Sequence, residues 1–336
     1  MSDNQEINTD KAKPKKGLKL YTFGALLLLS GTMGSLFIFS SEAPTPGVGE
    51  TVSSIGAPSL PTQVDFCGEA MPLHDEEVRE RFEREMMITI YDYATTGMII
   101  KRLHRWEPAM RQILKEEGVP EDFLYLMVAE SAVRNATSVA GAQGFWQFMP
   151  QTGRDFQLRQ DAFIDERNHP LKSCRAACRY LKESYRAFGN WTLAAASYNM
   201  GAGGLSYNMR TQRQQNYYDL HLNQETSRYV FRIVAFKYVL RNAEQYGYSI
   251  AVKDRHTAPA TKVVTVTQTT DLVEFAAIHG TSYKMIMWLN PWLRGMELPV
   301  RPGERWDVLV PIAKPRIGRP AVPDDSPDTP PQPQAN

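Results

Sequence analysis

The sequence predicts a mainly helical domain over residues 66–248 followed, after a linker, by a small α+β module of β-α-α-β order over residues 262–312. Three observations carry this reading. The run Phe123 to Ala129 is apolar with almost no polar residue, and its length and helix-forming composition suit a helix buried on most sides. The stretches 75–93, 98–117, 171–188 and 217–240 read as further helices. Near the C-terminus the β-branched run Val263 to Gln268 and the segment Trp306 to Val310 read as strands around two short helices, 271–279 and 283–289.

The chain has 336 residues, room for one medium domain and a small one. Its 38 basic and 37 acidic residues leave a net charge of +1, so no basic field argues for a nucleic-acid partner. Cys67, Cys174 and Cys178 make no disulfide framework. Cys174 and Cys178 lie one helical turn apart, which suits buried small hydrophobes better than a bridge; a Cys67 bridge to one of them stays open. The six histidines show no HExxH spacing, and no CxxC is present, so neither a metal site nor a cofactor is indicated.

Residues 1–19 form a polar tail in which Lys11, Lys13, Lys15, Lys16 and Lys19 outweigh Asp3, Glu6 and Asp10. Residues 20–41 contain no charge, about the length that crosses a hydrocarbon core of ~30 Å. Lysines before this span and none just after it place the N-terminus in the cytoplasm. The span is a retained inner-membrane anchor or a cleaved signal segment; no crisp small-x-small site precedes Glu42, and the length of the span favours the anchor. In either case the rest is exported, to the periplasmic side of a bacterial envelope or as a secreted chain. Residues 42–65, rich in Pro, Gly, Ser and Thr, read as a flexible spacer, and residues 314–336, rich in Pro and Asp, as a disordered tail.

The chemistry concentrates between Glu121 and Gln151. The apolar helix ends at Glu130, and burial there would raise the pKa of the carboxyl and let it keep a proton near neutral pH. Such a proton can be given to a leaving-group oxygen. Ser131, Ser138 and the turn Gly141-Ala142-Gln143-Gly144 follow, then Phe145-Trp146-Gln147. The glycines allow close approach of backbone to a ligand, the aromatics can stack on sugar faces, and Gln147 both donates and accepts hydrogen bonds. Asp165 and Glu166 could supply a second carboxylate, but a capping and ion-pairing loop before the 171–188 helix is the preferred reading. The run Trp191 to Met200 is small and apolar and ends in Tyr198-Asn199 before a glycine cluster that is no dinucleotide fingerprint.

Glu130-Ser131, Ser138, Gly144-Phe145-Trp146-Gln147, Tyr198-Asn199 and Glu225-Thr226-Ser227-Arg228-Tyr229 together resemble the motifs of the lytic transglycosylase family with a goose-lysozyme-like fold. Ser197 stands where that family usually has alanine. The resemblance implies a lysozyme-like catalytic domain with Glu130 as acid and then base. Ser138 and Tyr229 would hold Glu130; Gln147, Tyr198 and Asn199 would orient an N-acetyl sugar, and Glu225 would face the substrate. The implied partner is the peptidoglycan glycan strand, and the implied product a 1,6-anhydro-muramic end. The 262–312 segment resembles a LysM module but has Thr270-Asp271-Leu272 where Gly-Asp-Thr-Leu is usual, so glycan binding and simple packing both stay open for it. A hydrolytic muramidase and a non-catalytic wall-binding anchor are the alternative functions.

Overall fold

The computed structural model describes residues 58–312. The expected membrane segment 20–41, its flanking tail 1–19, most of the 42–65 spacer and the 314–336 tail lie outside them. Among the described residues no helix is long and apolar enough to cross a membrane.

The domain begins with a short antiparallel hairpin, β1 (Asp65–Phe66) and β2 (Glu69–Ala70). Val64 and Phe66 are buried, so core packing already starts here. Helix α1 (Glu76–Tyr91) is capped by Asp75, and Glu76 and Glu77 in its first turn oppose the positive end of the helix dipole. Helix α2 (Tyr93–Glu116) starts five residues before the Met98 read from sequence, because Asp92 caps it by accepting from Thr95 N at 3.0 Å.

Helix α3 (Phe123–Ser131) is buried at every residue. A hairpin, β3 (Ala136–Thr137) and β4 (Gln143–Gly144), and the short α4 (Pro150–Asp155) follow. Helix α5 (Pro170–Phe188) opens on a His169 cap with proline in its first turn and stops at the left-handed Gly189. Helix α6 (Trp191–Met200) is capped by Asn190. Helix α7 (Ala202–Gln212) is not foreseen from the glycine-rich sequence. Its buried Ala202, Leu205 and Met209 fall on one helical face, and that packing overrides the glycine penalty. Helix α8 (Gln224–Arg241) starts at an Asn223 cap, so the helix read from Tyr217 is shorter than expected; residues 217–219 form a single 3-10 turn.

Helix α3 packs against α2 and α8; α8 also packs along α1 and α6, and α5 joins α2 to α6. One buried polar cluster ties this arrangement together. Lys237 of α8 donates to Asp122 Oδ2 at 2.7 Å and to Asp65 Oδ1 at 2.9 Å. Asp122 also accepts from Cys67 N at 2.8 Å and from Arg241 at 3.1 Å. Burial alone would lower the Lys237 pKa; its hydrogen bonds to Asp122 and Asp65 outweigh it and raise it. All three cysteines are free, and Cys174 and Cys178 are buried in α5.

The C-terminal module contains β5 (Thr261–Val266), β6 (Thr270–Asp271), α9 (Leu272–Ile278), α10 (Tyr283–Leu289), β7 (Glu297–Leu298) and β8 (Trp306–Pro311). Strands β5 and β8 pair antiparallel from Thr261↔Pro311 to Val266↔Trp306, and β6 pairs with β7. Asp271 caps α9 through Val273 N and Glu274 N. Asn290, fully buried, exchanges two 2.8 Å hydrogen bonds with the backbone of Leu309.

The module is docked on the helical domain. Ile164 bridges to Leu293 and is part of the module's own core. Asp165 N donates to Trp292 O at 2.8 Å, and Arg294 N donates to Phe163 O at 2.9 Å. Arg159 pairs with Glu304, and His169 stacks on Trp292.

The Lys237 cluster sets an expectation. Asp122→Ala leaves the buried Lys237 ammonium with Asp65 alone and removes the acceptor of Cys67 N and Arg241, and should lower the unfolding free energy by about 3 kcal/mol in a urea titration. A loss below about 1 kcal/mol would show that water solvates Lys237 in the fold.

Candidate active site

Glu130 occupies the last turn of α3 and is 6% exposed. The helix is stopped by Ala132 at φ 49, and Val133 follows at φ 57. A β-branched residue in the left-handed region is strained, and such strain persists only where the surroundings impose it. The sharp exit leaves the Glu130 carboxyl at the helix end. Burial pushes its pKa up from 4.5 to about 7. A hydrogen bond from the Tyr229 hydroxyl to Glu130 Oε1 and the charge of Arg232 oppose that rise; the charge of Glu225 adds to it. Tyr229 and Arg232 sit three residues apart on α8, on the face turned to α3, and the Arg232 guanidinium lies 5.5 Å from the Tyr229 ring centre. Its Nε is buried with no hydrogen-bond partner in the protein.

Of the two residues expected to hold Glu130, Tyr229 does so. Ser138 instead accepts from Ala142 N at 2.9 Å and closes the glycine turn. That turn is itself clamped. Arg167 donates to Gly141 O at 3.0 Å and to Phe148 O at 3.1 Å, and is held by Asp165 at 2.7 Å. Asp165 and Glu166 are therefore structural: Glu166 accepts from Arg159 N at 2.9 Å and pairs with Lys172. Gly144, at φ 87, allows no side chain, since a Cβ there would lie 2.0 Å from Arg167 O.

Gln147, fully buried and left-handed at φ 49, donates through Nε2 to Gly144 O at 2.7 Å and to Ala136 O at 2.9 Å. With Nε2 so engaged, Oε1 is left buried without a protein partner. Tyr198 does not reach outward as a polar handle. It is fully buried, and its hydroxyl donates to Trp146 O at 2.8 Å. Trp146 is likewise a core residue rather than a sugar platform, and Phe145 packs edge-on against Trp106 at 5.2 Å. In both cases an apolar ring gains more from the core than from the groove. Asn199 donates to Glu225 Oε1 at 3.1 Å and accepts from Thr226 Oγ1 at 2.7 Å, which ties α6 to the start of α8.

Thus Glu130, Tyr229 and the Asn199–Glu225 pair gather where α3, α6 and α8 meet, and Gln147 and Tyr198 hold the adjoining turn. Sequence reasoning missed Arg232 and the Arg167 clamp. The one signal for Arg232 was its place one helical turn after Tyr229.

Two outcomes follow from this geometry. The unfolded carboxyl of Glu130 loses its proton near pH 4.5 and the folded one near 7. Its contribution therefore favours folding fully below 4.5 and is lost as pH rises through 7, a swing of roughly 3 kcal/mol. Glu130→Gln removes that swing. Relative to the wild type, the variant should gain stability between pH 4 and pH 8 by roughly this amount in paired denaturation curves. Gly144→Ala should cost about 3 kcal/mol or more, because backbone must move to admit the methyl group; a Tm within a degree of wild type would contradict the clamp.

Residues 108–221 match the family model described as Transglycosylase SLT domain, and residues 262–314 the one described as Soluble lytic transglycosylase C-terminal LysM-like domain. The membrane-bound lytic murein transglycosylases D of Escherichia coli strains K12 and O6:H1 are each 30% identical over 203 residues, which is 58% of this chain and 44% of theirs. The chain thus spans less than half the length of these curated relatives. A solved structure, the 70 kDa soluble lytic transglycosylase of Escherichia coli, is similar at 16% identity and a TM-score of 0.37, covering 53% of this chain and 32% of the other. Residues 108–221 are thus similar to the transglycosylase SLT domain, and residues 262–314 to the LysM-like domain found at the C-terminus of soluble lytic transglycosylases.

Proposed function

We propose that the protein is a peptidoglycan lytic transglycosylase that cleaves the β-1,4 bond between N-acetylmuramic acid and N-acetylglucosamine. The observation that carries this reading is one buried carboxyl, Glu130, whose pKa is pushed up to about 7, at the end of a helix in a transglycosylase SLT domain. A group poised there holds its proton at neutral pH and can also release it.

In the proposed reaction the Glu130 carboxyl protonates the glycosidic oxygen, and the C1–O bond breaks. The N-acetyl carbonyl of the muramic sugar supports the positive anomeric carbon, the substrate-assisted route that needs no second carboxylate. The C6 hydroxyl of the same sugar then attacks C1, and its proton returns to Glu130. No water is consumed, and the product ends in a 1,6-anhydro ring. The attack is intramolecular, so positioning replaces an external nucleophile. While Glu130 is ionised, the Tyr229 hydroxyl and the Arg232 charge stabilise it. Gln147 Oε1, buried and unpartnered, is available to the N–H of an N-acetyl group. Asn199 holds Glu225 by a hydrogen bond, and Ser138 and Tyr198 shape the adjoining turn.

The charge of Glu225 is felt at Glu130, and this second carboxylate is what a hydrolytic muramidase would use to activate water. The two readings differ in product. The segment 20–41 would hold the enzyme at the inner membrane with this domain in the periplasm.

Mass spectrometry of glycan strands digested by the purified protein should show anhydro ends, lighter by one water than the reducing ends of hydrolysis. Glu130→Gln should lose at least a thousandfold in turnover while staying folded. Reducing ends would establish the muramidase, and full activity of the variant would remove Glu130 from the chemistry.

A further inference from the structure

The last described residue, Ile312, lies beside a cavity of ≈ 660 Å³ between the helical domain and the docked module. Ile312 N donates to Ala260 O at 2.9 Å, and Pro311 pairs with Thr261, so the chain departs next to Pro259 and Thr261, which line the cavity. Arg102 and Arg105 of α2, Arg134 just past α3, and His256 of the linker form its polar side. Trp106, Phe145 and Trp288 give it aromatic surface. Trp288 is 50% exposed, and the Arg105 guanidinium lies 5.1 Å from its ring centre.

The charges of this cavity are unbalanced. Arg102 donates to Ala132 O at 3.3 Å, Arg105 to Thr257 O at 3.0 Å and Arg134 to Ser131 O at 3.4 Å. Among the described residues no carboxylate forms an ion pair with any of the three. Burial and then Arg134 lower the Arg102 pKa; burial and then Arg105, Lys101 and Arg102 lower that of His256. The chain that continues past Ile312 has the opposite character. Residues 320–333 hold Asp324, Asp325 and Asp328 and no basic residue. The same stretch has prolines at 320, 323, 327, 330, 331 and 333, with the P-x-x-P spacing at 320–323 and again at 327–330. Proline-rich chain of this spacing favours the polyproline II conformation and docks on aromatic-lined grooves at little entropic cost. Acidic residues within it suit a groove that also carries arginines.

We propose that this cavity is the docking site of the chain's own acidic, proline-rich segment, residues 320–333. Arg102, Arg105 and Arg134 take the three aspartates, and Trp106 and Trp288 take the proline rings. The connection is long enough. Residues 313–319, fully extended, span at most about 25 Å, and the exit at Ile312 already adjoins the lining. Lys314, Arg316 and Arg319 all fall in that connection, so the aspartates meet the cavity as one block. Tethering makes a weak contact sufficient. A short linker holds the segment at an effective concentration of about 1 mM, so a free-peptide Kd of about 0.1 mM already gives roughly 90% occupancy. Docked there, the segment touches α2 on one side and α10 on the other and straps the module to the helical domain. This contact is independent of the reaction proposed for Glu130, and its failure leaves that reading intact.

A synthetic peptide of residues 320–333 is titrated calorimetrically into two full-length proteins, the wild type and the triple variant Asp324→Asn, Asp325→Asn, Asp328→Asn. The variant's own segment no longer competes, so it should bind the peptide about tenfold more tightly than the wild type does. Adding Arg102→Gln and Arg134→Gln to the variant should weaken the peptide about tenfold, and Lys at both positions should restore most of the loss. The peptide with asparagine at its three aspartates should bind at least tenfold more weakly. Equal peptide affinity of wild type and triple variant overturns the proposal and leaves the cavity to another occupant. No binding to the triple variant, or equal binding of the asparagine peptide, overturns it too. So does a sedimentation coefficient that rises with concentration in the wild type but not in the triple variant, which would seat the segment on a second copy of the chain.

Discussion

The hydrogen bond from Tyr229 to Glu130 joins two helices 99 residues apart in the chain, and the domain is built to keep it dry and in register. Helix α8 cannot slide without cost. Near its start, the buried Glu85 of α1 holds Arg228 at 2.6 Å, and Arg81 reaches Ser227 O and lies 4.5 Å over the Phe231 ring. Further along, Lys237 is fixed by Asp122 and Asp65. Two anchored points on one rigid helix set the position of everything between them, including Tyr229 and Arg232. This matters because the proton affinity of Glu130 is a balance. Burial raises it, while the Tyr229 bond and the Arg232 charge pull it back. Either influence alone would leave the carboxyl useful in only one protonation state; together they hold it where both are accessible near neutral pH.

The opposite side of the site is a turn rather than a helix, and it depends on backbone handedness. Gly141 and Gly144 at φ 86 and 87, and Gln147 at φ 49, bend the chain back so that Gln143 and Phe148 pair. Arg167 fills the inside of that bend, and the buried Asp165 neutralises it. A buried arginine with five donors can satisfy several carbonyls at once, which a lysine cannot. The acidic loop after the turn is therefore the scaffold of the site, and its carboxylates are committed before any substrate arrives.

Much of this was legible in the sequence because it follows from local pattern. The apolar run Phe123 to Ala129, ending at Glu130, reads as a buried helix, and the structure has that helix with Glu130 buried and its pKa raised. The two long strands of the module and its two short helices were equally plain from the residue pattern, whereas the two-residue strands β6 and β7 were not. What the sequence hid was direction. Tyr198 was expected to face the groove, yet its ring is held by Tyr180 and its hydroxyl by the Trp146 carbonyl. Ser138 was expected to hold Glu130 and closes a turn instead. Helix α7 was lost behind the glycines 201, 203 and 204, because its stability comes from packing and not from propensity. In each case the deciding partner is distant in sequence or is a backbone atom, and no residue pattern announces it.

The docked module follows from the same physics of burial. About fifty residues cannot enclose a sufficient apolar core alone, and folds of that size need an added staple. Here the staple is the helical domain. Ile164, fully buried, completes the cluster of Leu272, Ile286, Leu298 and Val308. Trp292 and Trp306 stack at 5.3 Å, with His169 on one side and Lys172 and Arg159 against Trp306. A module held by its own core residues has a fixed orientation. That changes the meaning of its departure at Thr270-Asp271-Leu272. The Asp271 cap on α9 is kept, so the fold is kept. A module fixed in this way forms a wall against the helical domain, where its Trp288 meets Arg105 across the junction at 5.1 Å.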